Sequence, residues 1–144
     1  MKYIIRGVLL SMLLACSFSS LASETGHFDK RISLHLTKAE KADFLSEMRR
    51  MLSSIQGVMS GISDKNRTLI INSARYSGNR MARATPKSVK QKTPKLFKEI
   101  GGSTHMMFEE LVVRAEEDDM ESLISFTANL MNNCLACHET YRAN

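Results

Sequence analysis

Apolar residues in this chain of 144 residues recur every third or fourth position, the period of an amphipathic helix, and nowhere alternate as strands do. The clearest run is Phe44, Met48, Met51, Ile55, Val58 and Ile62, with Leu45, Leu52 and Met59 widening the stripe. Thr37-Lys38-Ala39-Glu40 ahead of it is a capping box, so a first helix is predicted from there to about Gly61. Ser63-Asp64 can cap a second helix over about 65–84, whose face of Leu69, Ile70, Ser73, Ala74, Tyr76, Ser77 and Met81 is smaller and suits close approach. Residues 85–93 read as a basic loop holding Pro86. Thr93-Pro94 then opens a third helix carrying Leu96, Phe97 and Ile100. Gly101-Gly102 is expected to bend or break it before Met106, Met107, Phe108, Leu111, Val112 and Ala115 continue it to about Glu117. Asp118 and Glu121 form a second capping box. A fourth helix follows with Met120, Leu123, Thr127, Leu130, Cys134, Cys137 and Tyr141 on one face, and Ile124, Met131 and His138 in an adjoining row. Four amphipathic segments with short connections predict an all-α fold, an antiparallel four-helix bundle.

The N-terminal end has a different pattern. Lys2 and Arg6 precede an apolar stretch over 7–18 that is too short to span a bilayer. Ser20-Leu21-Ala22 fits a cleavage site, so 1–22 reads as a secretory signal and 23–144 as the mature domain. The alternative is a lipoprotein signal over 1–15: Leu13-Leu14-Ala15-Cys16 resembles a lipobox, which would anchor the chain to a membrane through Cys16. Both place the mature domain in the periplasm, either free or lipid-anchored. Residues 23–36 show no period and read as a mobile lead-in, with His27 and His35 exposed.

Composition narrows the classes. Loss of Lys2 and Arg6 lowers the formal charge from +5 to +3, and no aromatic-basic interleaving occurs, so nucleic acid is not an expected partner. The charge is segregated, however. Arg75, Arg80, Arg83, Lys87, Lys90, Lys92, Lys95 and Lys98 crowd one stretch, and Glu109, Glu110, Glu116, Glu117, Asp118, Asp119 and Glu121 another. Such runs are commonly solvated faces; the sharper expectation is that the basic one steers an acidic redox partner.

The chemistry sits near the C-terminus. Cys134-Leu135-Ala136-Cys137-His138 is C-x-x-C-H, the attachment pattern of a c-type haem. On a helix the two cysteines share a face and can each form a thioether with one haem vinyl. His138, one turn on from Cys134, can then reach the iron. A thiol-disulfide pair is the competing use of C-x-x-C, but it wants a βαβ context that is missing here. Zinc would want more ligands at suitable spacing. His105 sits on a helix of mixed character, where a histidine is ordinarily structural or exposed.

The ending Cys134-Leu135-Ala136-Cys137-His138-Glu139-Thr140-Tyr141-Arg142, on the last of four helices, resembles that of the class II c-type cytochromes, the cytochrome c′ family. The resemblance implies a four-helix bundle with one covalent haem c and no enzymatic turnover. It implies a haem-side place for Arg142 and possible homodimers through the first helices. It also implies two functional branches set by the first helix. A methionine there ligates iron in low-spin electron carriers that serve redox partner proteins; an apolar residue leaves an open site that binds diatomic gases, nitric oxide or carbon monoxide. Aligned by pattern, Met48 takes the distal position, with Met51 and Met59 as the other methionines in reach. Met48 is also a good core filler, so packing stands beside ligation as its expected role. Family members often carry an arginine four residues before the distal position; here Phe44 stands there.

Overall fold

The structure, a computed structural model, describes residues 29–144; the leader, Cys16 and His27 lie outside the described residues. It is an all-α domain of six helical segments, two of them only six residues long, plus one short strand pair.

Helix α1 spans Lys38–Ser63 and starts where the capping box requires. Thr37 Oγ1 accepts from the Glu40 N–H at 3.3 Å, and the Glu40 carboxylate accepts from the Thr37 N–H at 2.9 Å. Ile55, Val58 and Ile62 are buried, while Phe44, Met48 and Met51 are half-buried. The widening residues Leu45, Leu52 and Met59 are exposed, contrary to expectation. The reason lies on the other flank of α1, where Gly57 and Gly61 let α2 come close: a Cβ at Gly61 would lie 2.9 Å from the Ile70 backbone nitrogen. The neighbouring helix is drawn to the glycines, not to the leucine row.

The expected second helix is two helices. Lys65, in the left-handed region at φ 53°, turns the chain. Asn66, not Ser63 or Asp64, then caps α2 (Arg67–Tyr76) by accepting from the Leu69 N–H at 3.0 Å. Helix α3 (Asn79–Ala84) begins after a break at Ser77–Gly78. Buried Ser77 gives its carbonyl to His105 Nδ1 and shares its hydroxyl with Ser54, each at 2.7 Å. These bonds replace helical ones. Glu109 accepts from the Asn79 N–H at 2.7 Å and so caps α3 from across the fold.

The expected basic loop contains another helix, α4 (Lys87–Lys92), anchored by buried Val89. Helix α5 (Lys95–Glu117) follows Pro94 and runs unbroken through Gly101-Gly102. Each glycine costs about 1 kcal/mol relative to alanine, which a helix of this length absorbs through its packing. Helix α6 (Met120–Thr140) is capped by Asp119, which accepts from the Ser122 N–H at 2.8 Å. Asp118 is not the cap, because its carboxylate is taken by Arg114 at 3.1 Å and its carbonyl by Arg67 at 2.8 Å.

The helix ends before Tyr141. Tyr141–Arg142 (β2) pairs in parallel with Ile32–Ser33 (β1), Ile32 opposite Tyr141 and Ser33 opposite Arg142. The supposed mobile lead-in is therefore tied down over 32–36: Leu34 and Leu36 are buried and the Leu34 N–H donates to the Arg142 carbonyl at 3.1 Å. His35 is exposed as expected, at φ 48°.

Packing runs α1 on α2, α2 on α5 and α5 on α6, with a much sparser contact between α6 and α1. Two apolar clusters result. The lower one joins Ile55, Val58, Ile62, Ile70, Ala74, Phe108, Leu111, Val112, Ala115, Leu123 and Leu130. The upper one, Leu34, Leu36, Val89 and Tyr141, gathers Phe44, Phe97 and Cys137 at its edge.

Candidate cofactor site

Side-chain contacts fix the register of the upper half. Phe97 of α5 lies 5.9 Å from Phe44 of α1 and edge-on to Tyr141 at 5.3 Å, ring centre to ring centre. Lower down, Asn133 of α6 reaches Ser103 of α5 at 3.3 Å and the Met107 sulfur at 3.4 Å. Helices α5 and α6 therefore run in opposite directions, and Gly101, between Phe97 and Ser103, falls level with the stretch Cys134–His138. One turn past the Phe44–Phe97 contact, Met48 on α1 and Gly101 on α5 share that level.

Gly101 lies seven and fourteen residues before Phe108 and Ala115, on the same inward row, and both of those are fully buried. Yet a Cβ built at Gly101 meets nothing within 4 Å. Space thus opens on the inner face of α5 opposite the C-x-x-C-H turn. Cys134 and Cys137 are half-buried and unbridged. Cys134 packs at the edge of the lower apolar cluster and Cys137 at the edge of the upper one, so the motif spans the gap between them. Met48 is half-buried and belongs to neither cluster.

His138 is exposed, although the helical pattern placed it beside the inward face. Phe126 of α6 takes the Arg114 guanidinium of α5 at 4.5 Å from its ring centre, and Asn133 meets α5 as well. The opposite flank of α6, with Ile124, Met131, Leu135 and His138, borders the sparse edge toward α1 and is exposed. The His138 carbonyl accepts from Arg31 Nη1 at 3.2 Å. Arg142 Nε donates to the Arg31 carbonyl at 3.2 Å, so the strand pair holds Arg142 beside the motif's last turn.

Burial pushes both thiols up, and for Cys137 the charge of Cys134 adds to the effect. The motif also lies at a helix C-terminus, where the backbone dipole disfavours thiolate. A redox-active C-x-x-C gains its reactivity from the reverse setting, a helix N-terminus and a lowered pKa. These thiols lack the setting of a redox-cycling pair.

The remaining candidates fall elsewhere. His105 is buried: Nδ1 donates to the Ser77 carbonyl, and Nε2 lies 3.6 Å from the Glu47 carboxylate, which burial pushes up. Both nitrogens are engaged, a structural role. Met51 packs at the edge of the lower core and Met59 is exposed. A cleft of about 660 Å³ between α1, α2 and α3 contains none of the expected ligands. Asp43, Glu47 and Glu109 face Arg50, Arg75 and Arg80 there, a charged lining unsuited to an apolar macrocycle. Periodicity found the motif's helix but not Gly101; the signal for it was an inward-row position filled by the one residue without a side chain.

Comparison of the chain with protein families, curated proteins and solved structures finds no match. The resemblance to class II cytochromes therefore rests on the C-terminal motif and the helical pattern.

Proposed function

We propose that the protein is a periplasmic c-type cytochrome that carries electrons through one covalently attached haem and catalyses no turnover of its own. In this reading α1, α2, α5 and α6 form an antiparallel four-helix bundle, and α3 and α4 are its long connection. The observation that carries it is the level shared by Met48, Gly101 and the C-x-x-C-H turn, where an inward glycine has no neighbour within 4 Å. The donor set fits the group: two paired thiols, an imidazole at the next residue, and a thioether on the helix across the sparse edge.

When bound, haem c supplies a one-electron iron couple. The chain's residues do the rest. Cys134 and Cys137 provide the thioether sulfurs. His138 would offer its imidazole to the iron, and its backbone is steadied by Arg31. Met48 would offer a thioether sulfur as a second ligand, one that raises the potential. Phe44, Phe97 and Tyr141 would offer aromatic surface at the top of the space. Arg142, held beside the motif's last turn by the strand pair, would offer its guanidinium to a propionate.

One observation favours a second reading. Met48 is half-buried and packs in neither apolar cluster. An open distal site binding nitric oxide or carbon monoxide would follow if the sulfur stays off the iron. The absorption spectrum of the holoprotein decides. Sharp ferrous bands, a weak far-red band in the oxidised form and no prompt shift with carbon monoxide are expected; Met48→Leu should abolish the far-red band and admit carbon monoxide. Broad high-spin bands in the parent that shift at once with carbon monoxide support gas binding. Absence of any haem spectrum, after expression in a host that attaches haem, rules out both.

A further inference from the structure

Between Asp64 and Glu99 the chain has ten lysines and arginines and no acidic residue. The fold concentrates half of them at one end. Helix α4 and the first turn of α5 bring Lys87, Lys90, Lys92, Lys95 and Lys98 to the upper end, all of them exposed. Lys92 pairs with Glu40 at 2.7 Å and Lys95 with Glu99 at 3.5 Å. Lys87, Lys90 and Lys98 form no ion pair among the described residues.

This face lies directly over the motif. Val89, on the inner side of α4, is 3% exposed and packs in the cluster that includes Tyr141 and borders Cys137. Phe97, between Lys95 and Lys98, touches Tyr141 from the other side. One layer of apolar side chains separates the lysines from a cysteine of the attachment site. Glu116 and Glu117 are exposed at the far end of α5, a helix about 33 Å long. That exceeds three Debye lengths, each about 8–10 Å in physiological salt. The charge is therefore polar along the bundle axis, basic at the motif end and acidic at the other, an arrangement that orients a charged partner as well as attracting it.

We propose that the lysine-rich face of α4 and the start of α5 is the docking surface for a redox protein that presents carboxylates, and that it seats that partner over the Cys137 end of the haem site. The proposal rests on the electron-carrier reading for the partner's class. The position of the face over the motif favours a redox partner over a lipid or nucleic-acid surface.

Two measurements on the holoprotein test it. In the first, the reduced protein is oxidised by anionic hexacyanoferrate(III) in rising salt. The rate constant should fall about tenfold between roughly 10 and 300 mM salt. Lys87→Glu with Lys98→Glu should lose most of that slope, since glutamates are tolerated in first helical turns. Glu116→Lys with Glu117→Lys, an equal change of opposite sign at the far end, should keep it. A flat slope in the parent, or equal effects of the two double variants, overturns the proposal. In the second, amide shifts are followed as polyglutamate is added. Shifts confined to α4 and the start of α5 are expected; shifts elsewhere, or binding to phosphatidylglycerol vesicles but not to polyglutamate, overturn it. A protein without a haem spectrum fails the carrier reading instead, while the polyglutamate map still judges the surface.

Discussion

The lower and upper halves of this molecule are built on opposite plans. Below Ser77, four helices meet through fully buried side chains, among them Val58, Ile70, Phe108, Leu111 and Leu123. Above it α2 has ended, two six-residue helices take its place, and α1 faces α6 across a sparse edge. At the level of the C-x-x-C-H turn the inward residues Met48, Cys134, Cys137 and Gly101 are only half-buried. The close packing lies where the chain is closed, and the proposed cofactor site where it is open. Between them lies a polar layer in which His105, Ser77 and Ser54 are hydrogen-bonded in a chain at the break in α2, with the Glu47 carboxylate 3.6 Å from His105 Nε2. The same bonds that end α2 also end the close-packed core.

The largest effect is expected from Cys134→Ser with Cys137→Ser. Burial of even ~300 Å² of apolar macrocycle is worth roughly 7 kcal/mol, comparable to the whole stability of a domain. The variant should lose its cooperative melt, with amide protection lost first in α4 and the start of α1. A cooperative melt close to that of the parent would show that the upper half stands without the cofactor.

Next, Phe108→Ala should cost about 3–5 kcal/mol, as truncation of a fully buried aromatic does. Met48→Ala should cost only about 1 kcal/mol through packing, because its side chain is half-exposed. Denaturant melts measure both. Equal costs would mean that the upper half is packed as densely as the lower.

Those two positions also show what could be read in advance. The steps of three and four from Phe44 to Ile62 located α1, and the cap at Thr37 located its start, because both are local signals that the fold kept. The C-x-x-C-H turn was legible for the same reason. The break at Ser77–Gly78 was not, since it depends on His105 and Glu109, thirty residues away in sequence or nearly so. Nor was the packing of Leu34 and Leu36, whose partners are at the other end of the chain. A seven-residue row such as Leu45, Leu52 and Met59 reads as core from periodicity, yet the two glycines of α1 decided which flank its neighbour took.

A smaller and opposite effect is expected at Gly102, which is exposed in mid-helix with nothing within 4 Å of a built Cβ. Gly102→Ala should raise stability by about 1 kcal/mol through helix propensity. A loss of stability in a thermal melt would show that α5 needs its flexibility at this level.

The smallest is an acid effect confined to the upper half. Lys92 and the Thr37 N–H hold the Glu40 carboxyl down at about 2, from an ordinary 4.5. A depressed carboxyl contributes stability above its unfolded pKa and loses it as pH falls through the folded one. The tie between α1 and α4 should therefore be intact above about pH 4.5 and fade towards pH 2. Amide exchange across that window should rise in α4 before it rises in α2. Simultaneous loosening of both would erase the distinction between the halves.

The strand pair has a consequence for the order of events. Arg31 and the His138 carbonyl are 107 residues apart in the chain, and β1 can find β2 only when the last residues are present. Contacts between such distant segments form late, since the entropy of closing the loop must be met first. The lower half can assemble from α1, α2, α5 and the start of α6 while β1 and β2 are still apart. If the two thiols take a haem as proposed, they stay within reach of whatever attaches it until the clasp shuts.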